Sequence, residues 1–129
     1  MNKVVVHFVG GSIQKGYTSD FSMNRTTFHL AGIEDHKTEI IDFHKLKAVF
    51  FVKDFEGNPE YTDSKDFDSS QTVYGKKYHV LFRDGEEVIG TGVGYNPNKP
   101  GFFLTPCDPD SNILRAFVNI EFISKIEQI

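Results

Sequence analysis

Short runs of alternating apolar and polar residues, separated by glycine-containing turns, extend along almost the whole chain. "KYHVLFRDGEEVIGTGVGY" has the period of two that a β-strand requires and then turns at Asp84-Gly85, which is a strong hairpin signal. "VVVHFVGGSIQKGYTSDF" has the same form and turns at Gly10-Gly11. No stretch carries a helical stripe longer than one or two turns. The pattern therefore predicts an all-β protein.

The pattern occurs twice. A shift of 74 residues places residues 3–30 on residues 77–104 without a gap, and a shift of 77 places "FHKLKAVFF" (43–51) on "IEFISKIEQ" (120–128). The change of shift falls between Ala31 and Phe43, where a loop can absorb it. Eight of the 28 positions in the first match are identical, namely Lys3/Lys77, Val6/Val80, Phe8/Phe82, Gly11/Gly85, Gly16/Gly90, Asn24/Asn98, Phe28/Phe102 and Leu30/Leu104. The repeat predicts one β unit that is built twice.

Each unit is predicted to contain five strands. Gly16 and Gly90 interrupt the second strand, as expected where a strand bends at the corner of a small barrel. The third strands are "TTFHLA" and "GFFLTP", the fourth are "TEIIDF" and "ILRAFVN", and the fifth are "LKAVFFV" and "FISKIEQ". Because "VVVHFV" is apolar on both faces, Val5 and Val9 are predicted to lie at a contact between the two copies or between two subunits.

The order of these strands resembles that of Sm-like and related small-barrel folds. The resemblance implies two tandem small five-stranded barrels related by the internal repeat, the first in residues 1–52 and the second in residues 77–129. Residues 53–76 are polar, contain Gly, Pro and Ser, and carry six acids. We interpret this segment as a polar acidic linker.

The composition excludes several classes of function. The 129 residues carry a net charge of -4, whereas nucleic-acid binders usually present a basic field, so nucleic acid is not the expected partner. One cysteine leaves no internal disulfide framework. The apolar run in "MNKVVVHFVGG" is far too short for a signal peptide or a membrane span. We therefore expect a cytoplasmic protein that does not contact a membrane.

Candidate chemistry along the chain is sparse. The five histidines lack the spacing of a metal site, and "DPDSN" (108–112) lacks the glycine and the glutamate that an EF-hand loop needs. Cys107 is followed by the acids Asp108 and Asp110, which do not favour the thiolate form that a nucleophile requires. We expect no catalytic residues, no metal and no cofactor.

Two further resemblances bear on function. "TSDFSMNR" resembles the Asp-x-Ser-x-x-Gly stretch of PilZ domains in residues 20–25, with Arg25 in the place of the glycine and no upstream arginine pair. This resemblance implies cyclic di-GMP binding without the main phosphate donors. "GYTSDFSMNRTTFHL", "LKAVFFVKDFEGNPEY" and "GYNPNKPGFFLTPCDPDSNILRAFV" resemble an uncharacterised bacterial domain family over nearly the whole chain, which implies a soluble protein of unknown activity.

One polar cluster is a candidate binding site. It is drawn from the loops after the second strand of each copy and after the fifth strand of the first copy, and it consists of Asp20, Asn24, Arg25, Asp54, Asn58, Asn98 and Lys99. Two interpretations stay open: turn-forming residues, or a recognition surface. Arg25 is expected to be a partly buried strut bound to Asp20 or Asp54, and the alternative is an exposed docking residue.

The sequence thus predicts a non-enzymatic protein–protein interaction or regulatory module. Its partner is expected to be a protein, and its strand edges offer a route to a homodimer. The alternative function is a nucleic-acid or cyclic-dinucleotide binding module, by analogy with Sm-like or PilZ barrels.

Overall fold

Ten strands and two short 3-10 turns form the fold of the residues that the computed structural model describes, which are 1–35, 37–57 and 75–129. The first half contains β1 (Asn2–Phe8), β2 (Ile13–Thr18), β3 (Thr27–Gly32), β4 (Thr38–Asp42), a 3-10 turn (Phe43–Lys45) and β5 (Leu46–Val52). The second half contains β6 (Lys76–Phe82), β7 (Glu87–Gly92), β8 (Gly101–Pro106), β9 (Ile113–Asn119), a 3-10 turn (Ile120–Phe122) and β10 (Ile123–Gln128). Every predicted strand lies at or next to its predicted place.

All ten strands belong to one open antiparallel sheet, in the order β10-β6-β7-β8-β9-β5-β1-β2-β3-β4. The all-β prediction is confirmed. In place of two separately closed barrels, the ladders join the halves, because β5 of the first half pairs with β9 of the second. The physical reason is that β5 is apolar on both faces, so both faces must be covered.

The two halves use the same strand order and the same register. Val4 pairs with Gly16 between β1 and β2, and 74 residues further along, Tyr78 pairs with Gly90 between β6 and β7. The other ladders of the two halves also match when residue numbers are shifted by 74 or 77. The pair Gly16–Gly32 of β2 and β3 corresponds to Gly90–Pro106 of β7 and β8, and Thr27–Asp42 of β3 and β4 corresponds to Gly101–Asn119 of β8 and β9. The pair Val4–Phe51 of β1 and β5 corresponds to Tyr78–Gln128 of β6 and β10. The repeat in the sequence therefore corresponds to a repeat in backbone pairing.

The core consists of two hydrophobic clusters that share β5. Every residue of β5 is buried, and from Ala48 to Val52 successive side chains point to opposite faces of the sheet. The first cluster contains Leu46, Val49 and Phe51 of β5 with Val4, Val6, Phe28, Leu30, Ile41, Phe43 and Phe117. The second contains Ala48, Phe50 and Val52 of β5 with Tyr78, Val80, Phe82, Phe102, Leu104, Ala116 and Val118. Apolar packing on both faces of one strand therefore joins the halves.

The glycines inside the second strands are required by close backbone contact. A Cβ on Gly16 would overlap the carbonyl oxygen of Ala31, and a Cβ on Gly90 would overlap that of Thr105. At these points β2 and β7 approach β3 and β8 more closely than a side chain allows, as expected for the predicted bends.

Candidate functional site

Asp20 closes the loop between β2 and β3. Its carboxylate accepts hydrogen bonds from the Thr18 hydroxyl (3.2 Å), the His29 backbone N–H (2.9 Å) and His29 Nδ1 (2.6 Å). These bonds hold the pKa of the Asp20 carboxyl below its usual range, and the bond from the His29 side chain has the largest effect. Because its partners lie at both ends of the loop, Asp20 stabilises the loop from within.

Asn24 and Arg25 are exposed in the same loop. The Asn24 backbone N–H donates to the Ser22 hydroxyl (3.2 Å), and the Arg25 backbone N–H donates to the Ser22 carbonyl (3.2 Å). The prediction that Arg25 is a partly buried strut is wrong, because the Asp20 carboxylate is bound to His29 and the Arg25 side chain is left exposed.

The loop between β7 and β8 repeats this turn in the second half. The Asn98 backbone N–H donates to Asn96 Oδ1 (2.9 Å), and the Lys99 backbone N–H donates to the Asn96 carbonyl (3.0 Å). Asn96 thus takes the place of Ser22 in the repeat, and Asn98 and Lys99 are exposed like their counterparts. The shared geometry favours the turn-forming interpretation of these loops.

Asp54 lies in a turn after β5. Its backbone N–H donates to Asn112 Oδ1 (3.0 Å), its carbonyl accepts from Asn112 Nδ2 (2.7 Å), and its carboxylate accepts from the Glu56 N–H (3.0 Å). Asn58 lies outside the described residues. Within the described residues, no hydrogen bond or ion pair connects Asp54 to the loop of Asp20 and Arg25. The described members of the predicted cluster therefore belong to separate hydrogen-bonded turns.

A different site lies where the two halves meet. Strands β1 and β5 of the first half and β7 of the second line a groove of about 360 Å³, which we call the inter-half groove. Its apolar lining includes Val5, Phe50, Val52, Val88 and Ile113. Its polar lining includes His7, Lys15, Glu56, Glu86, Glu87 and Asn112. An apolar surface with a few polar groups at its margin is the usual form of a binding site.

Phe55 forms one wall of the inter-half groove. Its ring meets the Tyr17 ring edge to face, with 5.2 Å between centroids and 90° between planes. Lys15 Nζ donates to the Phe55 carbonyl (2.8 Å), and Lys3 Nζ lies 5.9 Å from the ring centroid. The turn that follows β5 is therefore held against the β1–β2 hairpin by one hydrogen bond and by ring contacts.

His7 is a partly buried histidine at the groove. Its ring meets Phe50 edge to face at 4.6 Å between centroids. Desolvation lowers the pKa of His7, and the Lys47 charge acts in the same direction, while the charges of Glu86 and Asp84 oppose it. His7 is therefore a neutral imidazole at neutral pH, and the second half has Leu81 at the equivalent position.

Lys47 links the halves directly beside this histidine. Its side chain is 7% exposed, and Nζ lies 2.7 Å from Asp84 Oδ2 and 2.6 Å from Glu86 Oε1. Desolvation would lower the pKa of Lys47, but the hydrogen bonds that Nζ donates to Asp84 and Glu86, together with the charges of these carboxylates, outweigh it and raise the pKa. Nζ also lies 4.8 Å from the centroid of the Phe82 ring. The sequence signal for this residue was a lysine inside the otherwise apolar run "LKAVFFV".

The side chains at the groove are apolar and charged. In the part of the chain that the structure describes, no three His, Cys, Asp or Glu side chains are grouped so that they could hold a metal ion. Cys107, the one cysteine of the sequence, is buried. The groove can desolvate an apolar group and place charged side chains at its margin, which is how a surface recognises a partner segment.

The fold is that of an all-β protein with one open ten-stranded sheet and a groove between its two halves. The chain belongs to the family of unknown function DUF6982, whose model matches residues 1–129. This match confirms the resemblance to an uncharacterised domain family. No curated protein and no solved structure matches the chain. Among the described residues, no helix is long and apolar enough to cross a membrane.

Proposed function

We propose that this protein is a non-enzymatic protein-interaction module, and that its docking surface is the inter-half groove. The observation that supports the proposal is the groove itself, because its apolar lining comes from both halves and its margin carries charged side chains. Such a surface fits an extended segment of a partner protein that inserts apolar side chains between the halves.

The charges at the groove favour a basic segment. Glu56, Glu86 and Glu87 contribute three carboxylates to the lining, of which Glu86 is paired with Lys47, whereas Lys15 contributes one ammonium group, which donates to the Phe55 carbonyl. A negative margin attracts lysine and arginine side chains and repels phosphates. The same charges, together with the net charge of -4, count against the alternative of a nucleic-acid or cyclic-dinucleotide binding module.

We also propose a barrel-like form for each half of the sheet. We take each half to be a small Sm-like barrel unit that curls around one of the two hydrophobic clusters. The support is that both halves have the same strand order and each has a glycine at the bend of its second strand. A bacterial origin rests on the motif resemblance, and a cytoplasmic location is supported by the low cysteine content, one residue in 129.

Fluorescence anisotropy with matched peptides tests the function. The probes are a short peptide of alternating valine and threonine flanked by lysines, the same peptide flanked by glutamates, and labelled RNA, single-stranded DNA and cyclic di-GMP. We expect the lysine-flanked peptide to bind best, and RNA to bind no tighter than about 10⁻⁴ M at about 150 mM salt.

Two charge reversals locate the binding surface. Glu56→Lys in the groove should weaken the lysine-flanked peptide several-fold, because it removes attraction at the margin. Glu34→Lys, at an exposed position that does not line the groove, is the matched control and should leave binding unchanged. Submicromolar RNA binding with a steep salt dependence would overturn the proposal in favour of the nucleic-acid alternative.

A further inference from the structure

Within the described sheet, the pairing that joins the two halves leaves one fourth strand and one fifth strand with an unpaired outer edge. Inside the chain, β5, the fifth strand of the first half, pairs with β9, the fourth strand of the second half. The outer strands of the described sheet are β4, the fourth strand of the first half, and β10, the fifth strand of the second. The two free edges are therefore equivalent to the two edges that are already joined.

The internal pairing supplies the register for a joint between free edges. Val49 of β5 pairs with Phe117 of β9. A shift of 77 residues turns Val49 into Ile126 on β10, and the reverse shift turns Phe117 into Ile40 on β4. A joint between a fifth and a fourth strand in this register places Ile126 opposite Ile40.

Backbone groups at both free edges point outward in that register. The Phe43 N–H donates to the Thr26 carbonyl on the β3 side of β4, and the Ile129 N–H donates to the Lys77 carbonyl on the β6 side of β10. Since successive N–H groups of a strand alternate in direction, the N–H groups of Ile40 and Gln128 face away from the sheet. Each edge therefore presents hydrogen-bonding groups to a further strand.

Apolar side chains that are buried at the internal joint are exposed at the free edges. Phe117 is 1% exposed, whereas its equivalent Ile40 is 68% exposed. Val52 is 6% exposed, whereas its equivalent Ile129 is 59% exposed. The free edges thus keep apolar residues at the positions that a neighbouring unit covers inside the chain.

We propose that copies of this chain associate head to tail, with β10 of one chain pairing antiparallel with β4 of the next in the register of Ile126 opposite Ile40. The partner is a second copy of the chain, and the joint continues the β5–β9 interface. The inference goes beyond the proposed function and does not depend on the inter-half groove. Because the two edges differ, the association is heterologous and forms a ring or a filament.

The joint between chains is expected to be weaker than the internal one. The register places Glu39 of one chain opposite Glu127 of the other, and like charges in that position repel. The repeat equivalent of Lys47 is Ser124, so the ion pairs with Asp84 and Glu86 have no counterpart. We therefore expect reversible association that depends on protein concentration.

Sedimentation analysis of two proline variants of the full chain tests the proposal. Ile40→Pro removes an outward N–H and an exposed side chain from β4, and Gln128→Pro removes an outward N–H from β10. We expect the unchanged protein to form species larger than a dimer as its concentration rises. Each variant alone should lose that association, and an equimolar mixture of the two should form a dimer that grows no further.

Other outcomes overturn the proposal. Dimers of Ile40→Pro alone would indicate β10–β10 pairing, dimers of Gln128→Pro alone would indicate β4–β4 pairing, and a monomer at every concentration would mean no self-association. Thermal unfolding checks that each proline variant is folded. If one of them does not fold, Ile40→Asp replaces Ile40→Pro and Ile129→Asp replaces Gln128→Pro, since both isoleucines are exposed. Ile13→Thr, which changes an exposed isoleucine away from both edges, should associate normally.

A charge reversal tests the register itself. Glu39→Lys replaces a repulsive pair with an attractive one and should tighten self-association by about two- to fivefold. Glu34→Lys adds the same charge outside the strands and should not tighten it. Unchanged or weaker association of Glu39→Lys would contradict the proposed register.

Discussion

At the scale of the residue, the same position of the repeat has acquired different chemistry in the two halves. His7 and Leu81 are equivalent, but only His7 faces Lys47, Asp84 and Glu86. Asp20, which binds both ends of its loop, has Gly94 as its equivalent in the second half. The chemistry of His7 and of Asp20 is therefore not repeated in the second half.

His7 should make stability depend on pH. Burial lowers its pKa in the folded protein, so between the folded value and the unfolded value of about 6.5 the unfolded chain binds the extra proton. Stability is therefore lost as the pH falls below about 6.5. We expect His7→Leu, which introduces the residue found in the second half, to reduce the loss of unfolding free energy between about pH 7.5 and pH 5, measured by urea denaturation.

The control for this measurement is His44→Gln, which changes an exposed histidine outside the groove and should leave the pH dependence as it is. An equal pH dependence in His7→Leu and the unchanged protein would show that His7 takes up a proton in the folded state as readily as in the unfolded chain.

At the scale of the element, the second strands depend on glycine for their contact with the third. A Cβ on Gly90 would overlap the backbone of Thr105, and backbone cannot move aside as a flexible side chain can. We expect Gly90→Ala to lower the unfolding free energy by about 2–3 kcal/mol. Gly10→Ala, where a Cβ meets nothing within 4 Å, should cost no more than about 0.5 kcal/mol. Equal costs for the two variants in urea denaturation would contradict the predicted close approach.

At the scale of the whole molecule, β5 couples the two halves. Three of its residues, Ala48, Phe50 and Val52, lie in the cluster of the second half, whereas Val49 and Phe51 lie in the cluster of the first. Loss of the second half would expose one whole face of β5. The two halves are therefore expected to unfold as one cooperative unit.

Phe82→Ala tests this coupling in the full chain. Phe82 is 1% exposed, and its removal should lower the unfolding free energy by about 3–5 kcal/mol. Because the halves unfold together, hydrogen exchange should show the same loss of protection in the most protected amides of β1 as in those of β6. Unchanged protection in β1 would mean that the halves unfold independently.

The strands and the turns could be predicted from the sequence because their causes are local. Alternation sets the strands, and the hairpin turns at Gly11 and Gly85 have φ angles of 95° and 93°, a backbone conformation that glycine readily adopts. Because "VVVHFV" is apolar on both faces, Val5 was predicted to lie near the other half. This prediction is confirmed, since Val5 packs against the second cluster. Val9, given the same place, is 45% exposed because β1 ends at Phe8.

The sequence by itself thus determined the all-β class, the positions of the strands and the presence of a repeat, since each depends on residues that are close together in the chain or on direct comparison of two segments. Only the tertiary structure decided that β5 pairs with β9, that Lys47 binds Asp84 and Glu86, and that Arg25 is exposed. These features depend on contacts between residues far apart in the chain. A strand's apolar faces show that it must be covered, but they do not identify the strand that covers it.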